Sequence, residues 1–387
     1  MKMNNIILKE NDFEADCCVL ERGLKDNREN IENDFKVEGI IEKIIEAYSE
    51  YDEVYTSGVW TWIMSRQDIL LKLLRNKDNL NLKNLYANLF RDKNISNGLV
   101  SHNLLEGQSG DWKPDEHEQK PFKYLNEVFI KDLEPRKKFI NLLLQDINTC
   151  KELTEFDKMS DLDFPLIGNP YGIVLDDTLI TSDQPRYYYD AKRIYDITSD
   201  IDDPVIFEIG GGYGGLLMNL FKVFGNKKFK YINSDILPTA LSFIYMIDNF
   251  LSEDEVFVTH GNKITVNMMD KNNVILNIYS KKNISFERDV DIVVNSHSLS
   301  EMSLDDITRY MGMIKNNNAL YFYHTNSNFY PWKDSKKGHI DIDSSKFPIK
   351  NYKKISHCVS PWLCGGNTRY REFLYQRLKG EQEQNYE

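Results

Sequence analysis

Cysteine is scarce in this chain. Five occur in 387 residues, Cys17, Cys18, Cys150, Cys358 and Cys364. The number is odd and no C-x-x-C pair is present, so neither a disulfide framework nor a thiolate zinc site is written into the sequence. The pattern reads as reduced thiols and points to the cytoplasm. Long apolar runs are also missing: none approaches the roughly 20 residues that span a bilayer. The N-terminal MKMNNIILKENDFEAD meets acidic residues too soon to read as a signal peptide. Basic excess is the third absence. Lys and Arg number 48 against 60 Asp and Glu, a formal net charge of -12, which repels a phosphate backbone and argues against a nucleic-acid partner. The remaining composition, 41% hydrophobic and 28% charged, suits a soluble protein with room for one large or two modest domains.

The first part of the chain has helical periodicity. Val37, Ile40, Ile41, Ile44, Ile45 and Tyr48 recur at i, i+3, i+4, i+7 and predict an amphipathic helix. Further helices are expected around 69–74, 82–90 and 122–150, with Pro121 at a start and Pro135 at a break or new start. The polar stretch 107–119, with Gly110 and Pro114, predicts a loop. Tracts rich in Lys and Asn read as solvated surface, and no internal repeat is found. From Pro204 the pattern changes to short apolar runs (205–209, 230–235, 274–279, 291–295, 319–324, 370–378) alternating with helical segments (216–224, 239–251, 305–315). Such alternation predicts an α/β fold: a Rossmann-like, doubly wound, mostly parallel sheet covered on both faces. The sheet is expected over 161–387, with a helical N-terminal region over 1–160 serving as a cap or a homo-oligomer surface. Residues 255–273 are expected to form an extra hairpin.

The first strand runs into Phe207-Glu208-Ile209-Gly210-Gly211-Gly212-Tyr213-Gly214-Gly215. Gly210, Gly212 and Gly215 satisfy G-x-G-x-x-G between a strand and a helix. Asp235 closes the next strand, where a carboxylate can accept hydrogen bonds from ribose hydroxyls. An adenosine-containing cofactor fits this pattern; a turn that merely tightens helix on sheet would also produce it. Glu208 bears on which cofactor. A dinucleotide places its pyrophosphate on the helix N-terminus, where a carboxylate is unfavourable. S-adenosylmethionine carries an ammonium and a sulfonium and no phosphate, and is therefore the expected cofactor. Its expected contacts are Glu208, Gly210, Gly211, Gly212, Gly214 and Asp235, with Ile236 either on the adenine face or in the core.

These residues look like the glycine motif and the second-strand motif of class I methyltransferases. More narrowly, the chain resembles a bacterial family of sugar O-methyltransferases. Four stretches carry the likeness: Ile167-Gly168-Asn169-Pro170 with Arg186-Tyr187-Tyr188-Tyr189; the glycine turn; Asn295-Ser296-His297-Ser298-Leu299-Ser300-Glu301-Met302; and Tyr321-Phe322-Tyr323 with Asn326. The likeness runs over roughly 165–377, and residues 255–273 depart from it. It implies methyl transfer to a sugar hydroxyl, with a sugar, nucleotide-sugar or glycan as acceptor, in surface-polysaccharide or glycan biosynthesis. It also implies that the helix after Arg186 covers the methionine end of the cofactor, with Tyr188 or Tyr189 closing the pocket and Asn295 beside it.

Ligands of a doubly wound sheet sit beyond the carboxyl ends of its strands, where residues 295–302 fall. Methylating an alcohol removes its proton, and His is the commonest base near neutral pH. His297 is thus the expected general base. Glu301, four residues on and on the same face if a helix starts there, would orient it or bind a sugar hydroxyl. A helix cap over 298–301 with an exposed His297 is the plainer reading. His324 is the second candidate base. Asp341 and Asp343 in His339-Ile340-Asp341-Ile342-Asp343 could be ligands of a divalent metal, but the pattern also fits an alternating strand or a loop, and no metal is expected. Trp332 and Trp362 could stack on sugar rings or fill core. Two other functions fit the same turn: an NAD-type oxidoreductase, and a catalytically silent cofactor-binding scaffold.

Overall fold

In a computed structural model of the chain, the described residues are 35–50, 59–64, 67–90, 92, 95, 99 and 133–378, except 171, 252–255, 260–262, 280–283, 329–332, 335–338, 341 and 363–369. The loop expected over 107–119, Pro121, the start of the helix expected from 122, Cys17, Cys18, Cys364, Trp332 and Asp341 lie outside them.

The N-terminal part is helical: α1 (Phe35–Ser49), α2 (Val59–Met64), α3 (Asp68–Asn76), α4 (Asn79–Tyr86) and α5 (Leu133–Thr154). Asp78 starts α4 by accepting the Asn81 amide. Pro135 falls in the first turn of α5, so it opens that helix rather than breaking one. A small antiparallel pair follows, β1 (Ile173–Leu175) and β2 (Thr178–Ile180), then α6 (Gln184–Ile197). The alternating part comprises β3 (Val205–Ile209), α7 (Gly215–Phe224), β4 (Lys230–Asp235), α8 (Leu237–Phe250), β5 (Phe257–Thr259), β6 (Lys263–Ile264), α9 (Val266–Lys271), β7 (Val274–Ile278), β8 (Ser285–Phe286), β9 (Ile292–Ser296), α10 (Leu304–Asn316) and β10 (Tyr321–Ser327). The chain continues through the short pair β11 (Lys333–Asp334) and β12 (His339–Ile340), then β13 (Tyr352–Val359) and β14 (Tyr370–Arg377).

Eight strands form one sheet in the order β13-β14-β10-β9-β3-β4-β7-β5. The six from β10 to β5 are parallel, while β14 runs antiparallel between β10 and β13. Every residue of β3 and β7 is buried, the signature of strands covered on both faces. Side chains alternate between those faces. Ile206, Tyr231, Leu276, Val294 and Tyr323 pack with α6, α7 and α8. Phe207, Ile209, Ile232, Ile275, Val293 and Phe322 pack on the other side with α9 and α10.

One expectation changes. Residues 255–273 do not form a hairpin: β5 adds parallel to β7 at the sheet edge, and β6 pairs parallel with β8. Thr265 accepts the Met268 amide and starts α9 there, so a helix takes the place of a returning strand. Apolar packing also runs across residue 160. Ile41, Ile44, Leu70, Leu82 and Tyr86 belong to the same apolar cluster as the sheet face. Tyr86 stacks on Tyr245 of α8 at 5.2 Å, and Lys43 pairs with Asp248 at 2.8 Å. No helix among the described residues is long and apolar enough to cross a membrane.

Candidate cofactor site

The order of strands fixes where a ligand can sit. Taking β3, β4, β7, β9 and β10 as first to fifth in chain order, the sheet reads 3-2-1-4-5. It reverses direction between β3 and β9, and ligands bind at the carboxyl ends beside such a switch. The glycine turn leaves β3 at that point. Gly214 has φ +90 and caps α7, a conformation that disfavours side chains. At Gly211 a Cβ would lie 2.8 Å from both Glu208 Oε2 and Asn233 Oδ1, so this position admits no side chain without moving a buried polar group.

Four amides of the turn are engaged by the protein itself. Gly210 donates to the Ser234 carbonyl at 2.8 Å and Gly214 to the Gly211 carbonyl at 3.0 Å. Gly211 donates to Asn233 Oδ1 at 3.0 Å and Gly212 to Asp235 Oδ2 at 2.8 Å. A pyrophosphate grips such amides at a helix N-terminus; here they are taken, two of them by side chains of β4.

Beneath the turn lies Glu208, 2% exposed. Tyr231 donates its hydroxyl to Glu208 Oε2. Burial pushes this carboxyl up to about 8, and the nearby Asp235 and Asp190 carboxyls push the same way, against Tyr231 and Arg186. Asn233 Nδ2 is buried beside it with no hydrogen-bond partner among the described residues. Asp235 closes β4 and also accepts the Ile236 amide and the Thr239 hydroxyl. Burial raises it to about 6, opposed by those hydrogen bonds. Ile236 is half-buried at the head of α8.

A second group of charges was not anticipated. Asp183, Arg186, Asp190 and Arg193 recur at helical spacing along α6. Arg186 lies 3.4 Å from Asp183 and its guanidinium sits 4.9 Å over the Tyr187 ring. Asp190 is 2% exposed. It accepts the Tyr323 hydroxyl at 3.1 Å and the Ser296 hydroxyl at 3.3 Å. Burial pushes Asp190 up to about 7, with Arg186 opposing and Glu372 adding to the rise. Glu372 of β14 takes the Tyr189 hydroxyl at 2.8 Å and Arg193 Nε at 3.3 Å. The i, i+3, i+7 recurrence of charge was the available sequence signal; its burial depends on strands more than 100 residues away.

At the end of β9 the residues divide by role. Asn295, 1% exposed, donates to the Ile209 carbonyl at 2.8 Å and to Ser298 Oγ at 2.6 Å. Its Oδ1 accepts from Leu299 N at 3.2 Å and from Asn326 Nδ2 at 2.8 Å. Both amide protons and the carbonyl are thereby engaged, so Asn295 ties β3, β9 and β10 together rather than reaching a ligand. His297 has φ +73, a region costly for a non-glycine residue and frequent at functional sites. Its ring stacks on Tyr370 at 4.6 Å, and its Nδ1 lies 3.3 Å from Arg186 Nη1. A guanidinium only donates, so Nδ1 accepts and Nε2 carries the hydrogen. With that tautomer His297 offers an N–H at Nε2, which counts against the general-base role expected of it. The helical face shared with Glu301 also does not form. The turn after His297 is a three-residue 3-10 segment, Leu299–Glu301, and Ser303 rather than Ser298 caps α10.

The remaining candidates are placed as follows. His324 is fully buried among Phe322, Phe347, Phe373 and Tyr375, and burial lowers it to about 3; a neutral interior imidazole is its state. Tyr188 packs on Phe156 at 6.0 Å. Tyr187 is the tyrosine that reaches the turn, 5.9 Å from the Tyr213 ring and against Gly215. Trp362 is buried and meets Tyr189 edge-on at 5.6 Å. Asp343 accepts the Ser345 amide at 2.9 Å, closing a turn.

No family model matches the chain, and no curated protein does. Among solved structures it is similar to the mitomycin 7-O-methyltransferase MmcR, with 11% identity over 66% of this chain and 63% of that one and a TM-score of 0.31. The chain therefore spans less than two thirds of that protein. An S-adenosylmethionine-dependent methyltransferase from Clostridium acetobutylicum ATCC 824 is 11% identical over 50% of this chain and 92% of its own, TM-score 0.33. The [4+2]-cyclase SpnF is 11% identical over 49% and 82%, TM-score 0.33. The fold assignment rests on the strands themselves. A parallel 3-2-1-4-5 order, extended by an antiparallel strand slid in before the last edge, with a glycine turn after the first strand and an acid closing the second, is the class I methyltransferase fold.

Proposed function

We propose that the chain is an S-adenosylmethionine-dependent O-methyltransferase acting on a sugar hydroxyl, with a sugar, nucleotide-sugar or glycan as acceptor in surface-polysaccharide or glycan biosynthesis. One observation carries the choice of cofactor: a carboxyl buried beneath a glycine turn four of whose amides are already engaged. Glu208 suits a ligand that brings positive charge, and the engaged amides of the turn have little to offer a pyrophosphate. When bound, the cofactor supplies an electrophilic methyl group on a sulfonium. Glu208 holds its ammonium, and the buried Asn233 amide stands ready for an acceptor atom. Asp235 accepts a ribose hydroxyl on the capacity left to Oδ2, and Ile236 covers the adenine.

On the acceptor side, His297 donates from Nε2 and Glu301 accepts a sugar hydroxyl. The helical N-terminal region caps this cleft, in keeping with Leu99 lying 3.8 Å from a Cβ position at Gly212. The sugar is supported by the likeness of residues 295–302 to sugar O-methyltransferases. Calorimetry with S-adenosylhomocysteine, followed by mass-spectrometric screening of nucleotide-sugars and glycans for a methyl gain, tests the reading. Micromolar binding and a methylated product are expected. Binding of NADH with no affinity for S-adenosylhomocysteine would overturn it, and binding without transfer across a broad panel would favour the silent scaffold.

A further inference from the structure

Resting on the methyl-transfer reading, we propose that the acceptor's proton leaves through Ser296 Oγ to Asp190 Oδ2, with Ser296 as the catalytic residue and Asp190 as the positioning residue behind it. Ser296 is the last residue of β9, next to His297, and is half-buried at the carboxyl edge of the sheet. Its hydroxyl donates to Asp190 at 3.3 Å. Asp190 is held from behind by the Tyr323 hydroxyl at 3.1 Å, across neighbouring β10. A hydroxyl backed by a fixed, buried carboxylate is the arrangement by which one side chain activates another.

The exclusion of the neighbouring imidazole strengthens the assignment. Arg186 occupies His297 Nδ1 at 3.3 Å, so the histidine presents an N–H to the acceptor oxygen and steers its lone pair rather than removing its proton. The groups facing Asp190 come from its own helix and from five other elements, Cys150 on α5 among them. The others are Arg186 on α6, Ser296 on β9, Tyr323 on β10, Glu372 on β14 and Glu208 on β3. Burial keeps Asp190 near neutrality at about 7, where a proton acceptor works best at physiological pH.

The atoms balance without a further reactant. As the acceptor oxygen gains the methyl carbon, the carbon–sulfur bond of the donor would break with its electron pair left on sulfur, and the acceptor's O–H bond breaks with its proton bonding to Ser296 Oγ. The Ser296 proton passes to Asp190 Oδ2 in the same movement, so the carboxylate is neutralised as the donor's positive charge is lost. Asp190 afterwards returns its proton to solvent by the reverse route through Ser296.

The test joins a titration to turnover. Carboxyl carbons are observed by NMR in protein labelled with 13C-aspartate, with Asp190 assigned from Asp190→Asn. Asp190 should titrate near neutral pH in the wild type, and should rise further in Ser296→Ala as a hydrogen bond to the carboxylate is lost. With an acceptor from the screen, Asp190→Asn and Ser296→Ala should each lower kcat by about 100-fold or more while S-adenosylhomocysteine affinity is kept. Ser296→Thr, which retains the hydroxyl, should recover most of the loss, and His297→Gln should raise KM more than it lowers kcat. An Asp190 signal in the ordinary carboxylate range, one unmoved by Ser296→Ala, or turnover lost only with His297→Gln overturns the relay. Absence of S-adenosylhomocysteine binding by the wild type instead removes the underlying reading.

Discussion

Replacing Glu208 by Gln should make the ligand-free protein more stable at neutral pH while weakening cofactor binding. The Glu208 carboxyl moves from the usual 4.5 to about 8 in the folded chain, chiefly through burial. Below pH 4.5 it is protonated in both folded and unfolded states and contributes nothing to the pH dependence. Between 4.5 and about 8 the unfolded chain ionises and the folded chain does not, so folding becomes less favourable as pH rises; above about 8 the loss levels off. At roughly 1.4 kcal/mol per pH unit, the penalty at pH 7 is about 3 kcal/mol.

Gln has the shape of the protonated acid and keeps an oxygen for the Tyr231 hydroxyl. Its NH2 group gives part of the gain back if one proton finds no acceptor, about 1 kcal/mol. A net gain of about 2 kcal/mol at pH 7 remains, growing toward pH 8, vanishing near about pH 5 and turning into a loss of about 1 kcal/mol below pH 4.5. Urea unfolding of wild type and Glu208→Gln at several pH values from 5 to 8.5 measures it, with S-adenosylhomocysteine calorimetry at pH 7.5 alongside. A stability difference that stays constant across that range would show that Glu208 does not carry a raised pKa, and the argument from burial would fail.

Three further outcomes follow from local geometry. Gly215→Ala places a Cβ 2.4 Å from Tyr187 Cε2, a ring wedged against Tyr213, so urea midpoints should report a loss of about 1–3 kcal/mol from overpacking; an unchanged midpoint would mean the ring moves freely. Ser303→Ala removes the side chain that accepts the Asp306 amide at the start of α10 and should cost about 1 kcal/mol with S-adenosylhomocysteine affinity unchanged. Asp235→Asn loses one of the two oxygens that serve Gly212 and the pair Ile236 and Thr239. Calorimetry should show an affinity for S-adenosylhomocysteine weaker by about tenfold, near 1.4 kcal/mol, and affinity equal to wild type would detach Asp235 from the ribose.

The parts of the fold legible in the sequence are those set by local pattern. The apolar run ending at Ile209 and the glycines after it place β3, the turn and α7 within a residue or so. The period-3.6 run over 305–315 likewise finds α10. Glu208 at a strand tip, followed by glycines, was readable as a buried acid. What escaped depends on partners far along the chain. β5 and β6 are too short for periodicity to tell a hairpin from two parallel additions, and the outcome is decided by β7 and β8. The charges of α6 look like a solvated face until β9 and β10 supply Ser296 and Tyr323, 106 and 133 positions away. His297 invites the role of base by its type alone. Its hydrogen-bonding state is set by Arg186, 111 residues earlier.

The polar interior of this site contains two different kinds of group, and the contrast bears on what the protein is for. Asn295 and Asn326 have their donors and acceptors matched, Asn326 through Ser300 N at 3.0 Å, Asn295 and His324. Such a network rigidifies the strand ends and stabilises the fold without any ligand. Glu208 and Asp190 are buried as deeply, yet burial raises both well above the usual carboxylate range, so each opposes folding at neutral pH. A pure scaffold would be better served by Gln and Asn at these two positions, which preserve shape and remove the penalty. Retaining two destabilising acids beside a rigid, fully bonded platform makes sense when a cation completes the site and a proton has to be held there.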